Sequence, residues 1–400
     1  MIKISLEEAI ELANKNVSLT GTELTPIQNC LDKILAEDIY ADLDYPPFTR
    51  SAMDGYAVKS SDIRHASKNH PVKLKVIETV NAGDMPHKKI AHGTAVRIMT
   101  GAMVPPGGDC VVRQEETDYG KEYVQIFQKT EARLNCCMQG EDFRAGEKIM
   151  ERGQAVDASA FSAIGAAGKH KVRVFKRIKA ALITTGDELK EIGEEIGSGE
   201  IYDSNMLYLS ARLKQLGCTV TETHRSKDDP EKICSLLCSA AEKADLIVTT
   251  GGVSVGQKDY LYRAAETTGA DIIFHGIAVK PGMPTMFSVL GNVPVLSLSG
   301  NPYSAAAMFE FFVPSILAKM QGRRDSIMTA ENGRLANGYA KKSSVRRIIR
   351  GIIRENEIFV PDKQSNGMLK FGIGCNCLID IPAGSGELRA GEAVKFYRTY

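Results

Sequence analysis

The chain has 400 residues, which is too long for a single hydrophobic core and therefore predicts several domains. A hydrophobic fraction of 43% and a charged fraction of 25% are typical of globular proteins, and no apolar run reaches the length of a membrane span. The formal net charge of +1 gives no electrostatic reason to expect nucleic acid or a membrane as partner. The first residues have no apolar signal-peptide core, so we expect a cytoplasmic protein.

The N-terminal part mixes one helical pattern with a long β pattern. Ser5 precedes an apolar stripe at helical spacing, which predicts a first helix. A proline-rich break at Tyr45–Phe48 leads into alternating, turn-rich sequence from residue 71 to 127. We therefore predict an inserted β-rich domain over residues 46–135. Residues 1–45 and 136–174, with a helix near 158–167, are expected to form a helical and extended linker domain.

From Lys179 onward, strand patterns alternate with helix patterns, which indicates an α/β domain over residues 175–322. Its strands are predicted at 180–184, 245–250, 272–274 and 294–298. One helix ends at Gly217, a second starts at Asp229-Pro230, and a long helix starts at Asn301-Pro302. After residue 322 the pattern is β again, so we predict a C-terminal β domain over residues 323–400.

The nine cysteines indicate neither a disulfide framework nor a zinc site, because no Cys-x-x-Cys pair or histidine-rich partner segment is present. Cys234 and Cys238 lie four residues apart in a predicted helix and are expected to be small core residues. We therefore expect reduced, buried thiols.

Three strands of the α/β domain end in small, polar, glycine-containing loops: Thr184–Glu188, Thr249–Ser254 and Leu298–Pro302. In an open parallel sheet, ligands bind in the crevice outside the carboxyl ends of the strands. Glycines let the backbone approach a ligand closely, and their N–H groups can point at an anion. One such turn alone is also compatible with a surface turn without a ligand, but three at one sheet edge predict a shared pocket.

Several carboxylates lie near these loops, at positions 187, 188, 228, 229 and 259. Asp229 is expected to cap a helix, whereas the remaining carboxylates would repel a phosphate unless a cation bridges them, and Mg²⁺ is the expected ion. Lys280 could neutralise an oxyanion, or could be a surface charge at a turn. Because no Ser-His-Asp order or reactive cysteine setting is visible, we expect phosphoryl or nucleotidyl chemistry that depends on positioning and metal.

These loops, together with Ser51–Val58, Arg97–Ala102, Lys280-Pro281-Gly282 and Gly300-Asn301-Pro302, resemble the molybdopterin molybdenumtransferase family (MoeA, with the gephyrin E domain as a relative). The resemblance spans most of the chain, and the motifs follow the family's order. It implies a multidomain α/β plus β protein with a three-layer α/β domain of molybdopterin-binding type. The inserted β domain, the linker domain and a C-terminal β-barrel-like domain complete this expected architecture, which the family assembles as an elongated homodimer.

The resemblance also implies an activity and a set of site residues. The substrate would be adenylylated molybdopterin from a partner adenylyltransferase, and the enzyme would use Mg²⁺ and molybdate and release AMP. The implied catalytic residues are Asp54, Thr100, Asp142, Glu188, Asp228 and Asp259, with Glu188 and Asp259 as the expected metal ligands. The implied substrate-binding residues are Thr185, Gly186, Asp187, Gly251, Gly252, Ser254, Lys280, Gly300, Asn301 and Pro302. In the family, the first three catalytic positions reach the pocket from the opposite subunit.

Two positions depart from the family pattern. Ser299 stands where the family commonly has proline, so the loop loses one fixed φ angle. Phe274-His275-Gly276 stands where some members carry an additional lysine, and His275 either replaces that positive contact or is structural. Molybdate and tungstate have nearly the same size and charge, so either oxyanion satisfies the predicted site.

Two alternative functions remain open from the sequence. A molybdopterin adenylyltransferase shares the α/β domain and its Gly-Gly loop, but needs neither the inserted nor the C-terminal β domain. A non-catalytic, gephyrin-like dimeric scaffold would not require the carboxylate cluster. The retained carboxylates favour catalysis.

Overall fold

The computed structural model describes residues 3–253, 259–323, 328–355 and 357–399. The chain begins with helix α1 (Leu6–Lys15) and strands β1 (Thr22–Pro26) and β2 (Ile39–Tyr40). Helix α1 starts where predicted, because the Ser5 hydroxyl accepts a hydrogen bond from the Glu8 N–H. Its buried residues Leu6, Ala9 and Ala13 join the main core of the α/β domain. The helix therefore fixes the start of the chain to that domain.

The inserted β region contains seven strands: β3 (Arg50–Ser51), β4 (Gly55–Val58), β5 (Val72–Val80), β6 (Thr94–Ile98), β7 (Cys110–Arg113), β8 (Tyr123–Ile126) and β9 (Cys136–Cys137). Five of them form a sheet in the order β7-β4-β6-β5-β8, and β3 pairs with β9. Its apolar clusters, one around Tyr56 and one around Val96, contain no α/β-domain residue within the described ranges. The region therefore has a core of its own.

The chain then returns through strand β10 (Lys148–Met150), helix α2 (Ala158–Ala166) and strand β11 (Lys171–Phe175). Strands β10 and β11 pair antiparallel with β2 and β1, so the segments before and after the inserted region form one unit. Ile39 and Val174 share its apolar cluster. Helix α2 begins at the Asp157 carboxylate, which accepts a hydrogen bond from the Ala160 N–H.

The α/β domain has three layers. Its elements are β12 (Lys179–Thr185), β13 (Leu189–Lys190), β14 (Ile201–Tyr202), α3 (Ser204–Gln215), β15 (Thr219–Ser226), α4 (Pro230–Ala241), β16 (Leu246–Thr250), α5 (Tyr260–Thr267), β17 (Asp271–His275), β18 (Met286–Leu290), β19 (Val293–Leu298) and α6 (Pro302–Met320). The main sheet has the order β15-β12-β16-β19-β18-β17. The first four strands are parallel, and β18 and β17 form an antiparallel edge. The predicted parallel-rich sheet is confirmed.

Two apolar clusters cover this sheet, which explains why its central strands have almost continuous apolar sequence. One cluster includes Leu182 of β12 with Leu213 of α3 and Phe312 of α6. The other includes Ile183 of β12 with Leu237 of α4. Successive residues of β12 thus point into different clusters, as the alternation of side chains along a strand requires.

The C-terminal strands β20 (Ala330–Leu335), β21 (Arg347–Arg354), β22 (Glu357–Phe359), β23 (Cys377–Ile381) and β24 (Ala393–Arg398) close a barrel in the order β20-β22-β21-β23-β24. This confirms the expected barrel-like domain. Ile348, Leu378 and Tyr397 join the main α/β cluster, and Arg212 Nη2 donates a hydrogen bond to the Thr399 carbonyl at 3.0 Å. The barrel is therefore packed directly on the α/β domain.

The prediction of free thiols agrees with the structure, whereas the prediction that they are buried is wrong for five positions: four cysteines are buried, four are half-buried and Cys238 is exposed. All nine cysteines are free thiols. Cys238 is exposed, because the buried stripe of α4 passes through Ile233, Leu237 and Ala240 and leaves position 238 outside. Among the described residues, no helix is long and apolar enough to span a bilayer.

Candidate functional site

The loops after β12, β16 and β19 meet in one crevice. They line a cavity of about 60 Å³ with Thr185 and Glu188 of the first loop, Gly251 of the second, and Gly300 and Pro302 of the third. Each loop follows the carboxyl end of a parallel strand, so the strand order places them side by side. The small volume suits phosphate oxygens rather than a whole ligand.

Glycine is required where these loops touch. Gly251 has a φ of +89°, and a Cβ atom there would lie 2.0 Å from the Thr185 carbonyl oxygen. The Gly251 N–H donates to the Leu298 carbonyl at 3.1 Å. A Cβ on Gly300 would lie 3.4 Å from the Gly251 Cα. The three backbones therefore pack too closely for a side chain at position 251.

Asn205, which the sequence analysis did not select, ties two of the loops together. Its Nδ2 donates to the Gly300 carbonyl at 2.8 Å and to Thr250 Oγ1 at 3.1 Å. Thr250 Oγ1 in turn donates to the Ser299 carbonyl at 3.0 Å. Asn205 is a positioning residue for the crevice.

Asp203 is a further carboxylate at the crevice besides Glu188, and the sequence did not predict it. It is buried, accepts a hydrogen bond from Thr184 Oγ1 at 2.6 Å, and caps α3 through the Met206 N–H at 3.0 Å. Arg225 Nε lies 3.6 Å from Asp203 Oδ2, the oxygen that also accepts the Thr184 bond. The sequence Asp203-Ser204-Asn205 directly before an apolar helical stripe is a helix-start signal, and it could have directed attention to this corner.

Thr185 and Glu188 provide the polar groups at the crevice. Within the described protein, Thr185 Oγ1 is buried without a hydrogen-bond partner, and a Cβ on Gly252 would lie 2.8 Å from it. A buried hydroxyl of this kind needs a partner, which a phosphate oxygen could supply. The exposed Glu188 carboxylate folds over Gly186, where a Cβ would lie 2.7 Å from its Oε2.

The donor set at this crevice fits Mg²⁺ in the way that phosphate-binding enzymes use it. The described residues contain no group of three histidine, cysteine or acidic side chains that could hold a metal alone. Mg²⁺ is commonly held by one or two carboxylates together with substrate phosphates. Glu188 offers such oxygens, and nearby the Asp228 N–H donates to Asp187 Oδ1 at 3.3 Å, which joins the ends of β12 and β15.

Asp259 has a structural role as well as a predicted metal role. It caps α5, because its Oδ1 accepts a hydrogen bond from the Tyr262 N–H at 3.1 Å. Its Oδ2 lies 3.2 Å from His275 Nε2, a pair at ion-pair distance but without hydrogen-bond geometry. The His275 ring stacks on Tyr262 with centroids 5.3 Å apart. His275 thus contacts Asp259. Ser254, the remaining predicted residue of this loop, lies outside the described residues.

Asp54 and Thr100 form an exposed pair on the inserted β region. Asp54 Oδ1 accepts hydrogen bonds from both the N–H and the Oγ1 of Thr100, each at 2.7 Å. These bonds, first the backbone one, lower the pKa of the Asp54 carboxyl from its usual value. Asp142 lies in the linker, where its N–H donates to the Tyr45 carbonyl at 3.1 Å. In the described structure these groups are displayed on the surface.

Comparison with known proteins agrees with the fold. Residues 4–168 match the family described as MoeA N-terminal region (domain I and II), residues 181–319 match the probable molybdopterin binding domain, and residues 332–398 match MoeA C-terminal region (domain IV). A molybdopterin molybdenumtransferase of Staphylococcus aureus is 31% identical over 99% of this chain and 96% of its own length. The chain belongs to the MoeA family.

A second MoeA relative, from Staphylococcus epidermidis and also named molybdopterin molybdenumtransferase, is 31% identical over 98% of this chain and 93% of its own. The fold agrees as well. The crystal structure of a molybdopterin biosynthesis MoeA protein from Pyrococcus horikoshii superimposes with a TM-score of 0.86, at 30% identity and with full coverage of both chains.

The MoeA C-terminal domain contributes a second cleft that the sequence analysis did not predict. A cavity of about 730 Å³ lies beside Asn301 and is lined by Lys341, Arg347 and Ser365, among others. The exposed Lys280 lies where the two domains join: its N–H donates to the Arg346 carbonyl at 3.0 Å. The β sequence of this domain carries no recognisable ligand motif, so only the packed structure shows which cations line the cleft.

Hydrogen bonds hold the loop in place at Ser299, the position where the MoeA pattern commonly has proline. Ser299 is buried, its Oγ accepts a hydrogen bond from the Asn301 N–H at 3.4 Å, and its carbonyl accepts the bond from Thr250. These contacts replace the rigidity that a proline would supply.

Proposed function

We propose that this protein is a molybdopterin molybdenumtransferase, which inserts molybdenum from molybdate into adenylylated molybdopterin and releases AMP during molybdenum cofactor biosynthesis. The observation that carries the proposal is the convergence of Thr185, Glu188, Gly251 and Gly300 on one crevice in a MoeA chain. The names of its relatives support the same reaction.

In this proposal the crevice binds the pyrophosphate of the substrate. The loop backbone and the Thr185 hydroxyl donate hydrogen bonds to phosphate oxygens. Glu188 would hold Mg²⁺, and Asp259 is the second proposed ligand. The bound metal would neutralise charge on the phosphate that leaves with AMP. Asp187 and Asp228 keep the neighbouring loop ends together, with their own hydrogen bond supporting that role.

Molybdate is a dianion, so cations and hydrogen-bond donors should bind it. The C-terminal cleft offers Lys341, Arg347 and Ser365, and Lys280 lies at the junction beside it. Among the residues that the structure describes, no cysteine lines the crevice or this cleft. The thiolates that hold molybdenum must therefore come from the dithiolene of the substrate.

The proposed enzyme is a homodimer whose site is completed by Asp54, Thr100 and Asp142 of the partner subunit. The exposed Asp54–Thr100 pair, on a region with its own core, supports this arrangement. An adenylyltransferase would supply the adenylylated pterin. Nine free thiols are compatible with a cytoplasmic location.

The adenylyltransferase alternative is less well supported than the proposed reaction. The chain matches the MoeA N-terminal and C-terminal regions over residues 4–168 and 332–398, which that alternative would not need. The carboxylates at the crevice likewise favour an enzyme over a scaffold.

The test is incubation of the purified protein with adenylylated molybdopterin, Mg²⁺ and either molybdate or tungstate. We expect AMP release and metal incorporation that require both Mg²⁺ and an oxyanion. Binding of the substrate without AMP release under every condition would contradict the proposal.

A further inference from the structure

A third cavity, which we call the slot, adjoins the crevice. It has a volume of about 240 Å³ and lies between α3, α6 and residues 368–378 of the C-terminal domain. Ser204, Asn205 and Pro302 line both the slot and the crevice. A ligand whose phosphates occupy the crevice would therefore have its next group at the mouth of the slot.

The walls of the slot are apolar and partly aromatic. Tyr208 and Tyr303 supply rings, and Ala306 and Ala307 supply the small side chains that leave the space open. The volume is below the range of about 300–1,000 Å³ that holds a whole drug-sized ligand. It suits one flat ring system rather than the complete substrate.

Buried polar contacts fix both aromatic walls in place. The Arg350 guanidinium carbon lies 4.0 Å from the centre of the Tyr303 ring, and Arg350 also donates to the Met368 carbonyl at 2.7 Å. Tyr208 OH donates to Glu310 Oε1 at 3.1 Å. Arg350 and Glu310 are both buried. Rings held in this way form a preorganised surface for stacking, which costs little side-chain freedom on binding.

The polar side of the slot matches the edge of a nitrogen heterocycle. Glu310 lines the slot, and only 2% of its surface is exposed. Arg212 Nε and Nη2 donate hydrogen bonds to its two carboxylate oxygens at 2.7 and 2.8 Å. Each carboxylate oxygen has more than one lone pair, so Glu310 can also accept a bond from a ring amino group. Purely hydrocarbon ligands would not use this group.

We propose that the slot binds the planar nitrogen-heteroaromatic ring that flanks the pyrophosphate of the substrate. This inference rests on the proposed function, because it assumes a phosphate group in the crevice. The proposed substrate carries two such rings, the adenine of its AMP half and its pterin, and both have the chemistry that the slot fits. Stacking of the ring on Tyr208, which is half-buried whereas Tyr303 is buried beneath Arg350, would orient the phosphoanhydride against the crevice loops.

The experiment measures three ligands separately: inorganic pyrophosphate, AMP, and a phosphorylated pterin without nucleotide, each with Mg²⁺. Ala306→Phe fills the slot, and Ala241→Phe, at a partly buried alanine of α4 away from it, is the matched control. We expect Ala306→Phe to weaken binding of one ring ligand by about tenfold or more, the size of a lost stacking contact. Pyrophosphate affinity should stay within about twofold of the unmodified protein.

A second variant keeps the test informative if Ala306→Phe fails to fold. Ile373→Ser changes a side chain at the rim that is 81% exposed, so the barrel should fold normally. We expect a smaller loss for the same ring ligand. The ring that is weakened, adenine or pterin, identifies the occupant.

Two results would overturn the slot assignment while leaving the proposed function intact. The first is unchanged affinity for AMP and for the pterin in both variants, with normal AMP release from the full substrate. The second is a change in dimer association alone, which would make the slot a subunit contact. Absence of pyrophosphate binding and AMP release in the unmodified protein would instead contradict the proposed function.

Discussion

The crevice of the α/β domain and the Asp54–Thr100 pair build their geometry in opposite ways. In the crevice, three loops are held by mutual backbone contacts such as the Gly251 N–H to the Leu298 carbonyl. The pair depends on one carboxylate and one threonine, both exposed, on a region with its own core. The crevice is therefore a product of the fold, whereas the pair is a local arrangement of two side chains on an exposed surface.

The largest expected effect is the removal of charge at the crevice. Glu188→Gln should lower the rate of AMP release by about 100-fold or more, as expected when a preorganised group that stabilises developing charge is lost. The matched control is Glu195→Gln, an exposed glutamate in the following loop, which should leave the rate unchanged. Equal rates of AMP release by the two variants in a single-turnover assay would show that Glu188 has no role in the reaction.

Mixed dimers test whether the two regions act together across subunits. Asp54→Ala and Glu188→Gln subunits should each be inactive alone. In a shared-site dimer, random reassociation should restore about a quarter of the original activity, because half of the dimers are mixed and each has one intact site. No recovery after verified subunit exchange would show that both residues act within one chain.

Two glycine-to-alanine variants separate the effect of close packing in the crevice from the backbone strain of a positive φ angle. Gly269→Ala, at a φ of +71° with open space around it, should cost about 1–2 kcal/mol in the free energy of unfolding. Gly251→Ala carries similar strain, and its Cβ would also clash with the Thr185 carbonyl. It should lose more stability and also lose pyrophosphate affinity. Denaturant unfolding measures the stability of the two variants, and calorimetry measures their affinity for pyrophosphate. Equal stability and equal affinity in the two variants would argue against close packing of the loops.

Two variants separate the helix-capping role of Asp259 from the role of its negative charge. Asp259→Ala should lose AMP release and about 1 kcal/mol of stability, because the cap to the Tyr262 N–H disappears. Asp259→Asn keeps an acceptor for that N–H, so its stability should be largely restored while AMP release stays low. Full activity in the asparagine variant would mean that Asp259 serves only the helix.

The smallest effect concerns the exposed pair. Thr100→Val removes the hydroxyl donor but keeps the backbone N–H, so the pKa of Asp54 should rise partway toward its ordinary value. The carboxylate would then protonate at a higher pH than in the unmodified protein. A ¹³C NMR titration of the Asp54 carboxyl measures this, and an unchanged pKa would show that the hydroxyl bond contributes nothing.

The sequence predicted the crevice better than it predicted the cleft. Strand-ending glycine loops at Gly251 and Gly300 have local signatures, and the strand order follows from the α/β pattern. Asn205 had a weaker signal, because a helix-start residue is usually only structural. Lys341 and Arg347 gave no signal, since their relation to the crevice depends on how the barrel packs on the α/β domain.

The surroundings of His275 were also not predictable from the sequence. The departure from the family pattern predicted either a substitute positive contact for the ligand or a structural histidine. The structure places its ring against Tyr262 and its Nε2 near Asp259. The partner of a buried side chain on an edge strand depends on which loop returns beside it, and strand periodicity does not contain that information.

A crystal structure of the protein with AMP, pyrophosphate and Mn²⁺ in place of Mg²⁺ tests whether the crevice binds a metal-bound pyrophosphate. We expect an anomalous manganese peak bonded to a Glu188 oxygen and to pyrophosphate, with the pyrophosphate against Thr185, Gly251 and Gly300. Pyrophosphate bound elsewhere, with no manganese at Glu188, would contradict this expectation.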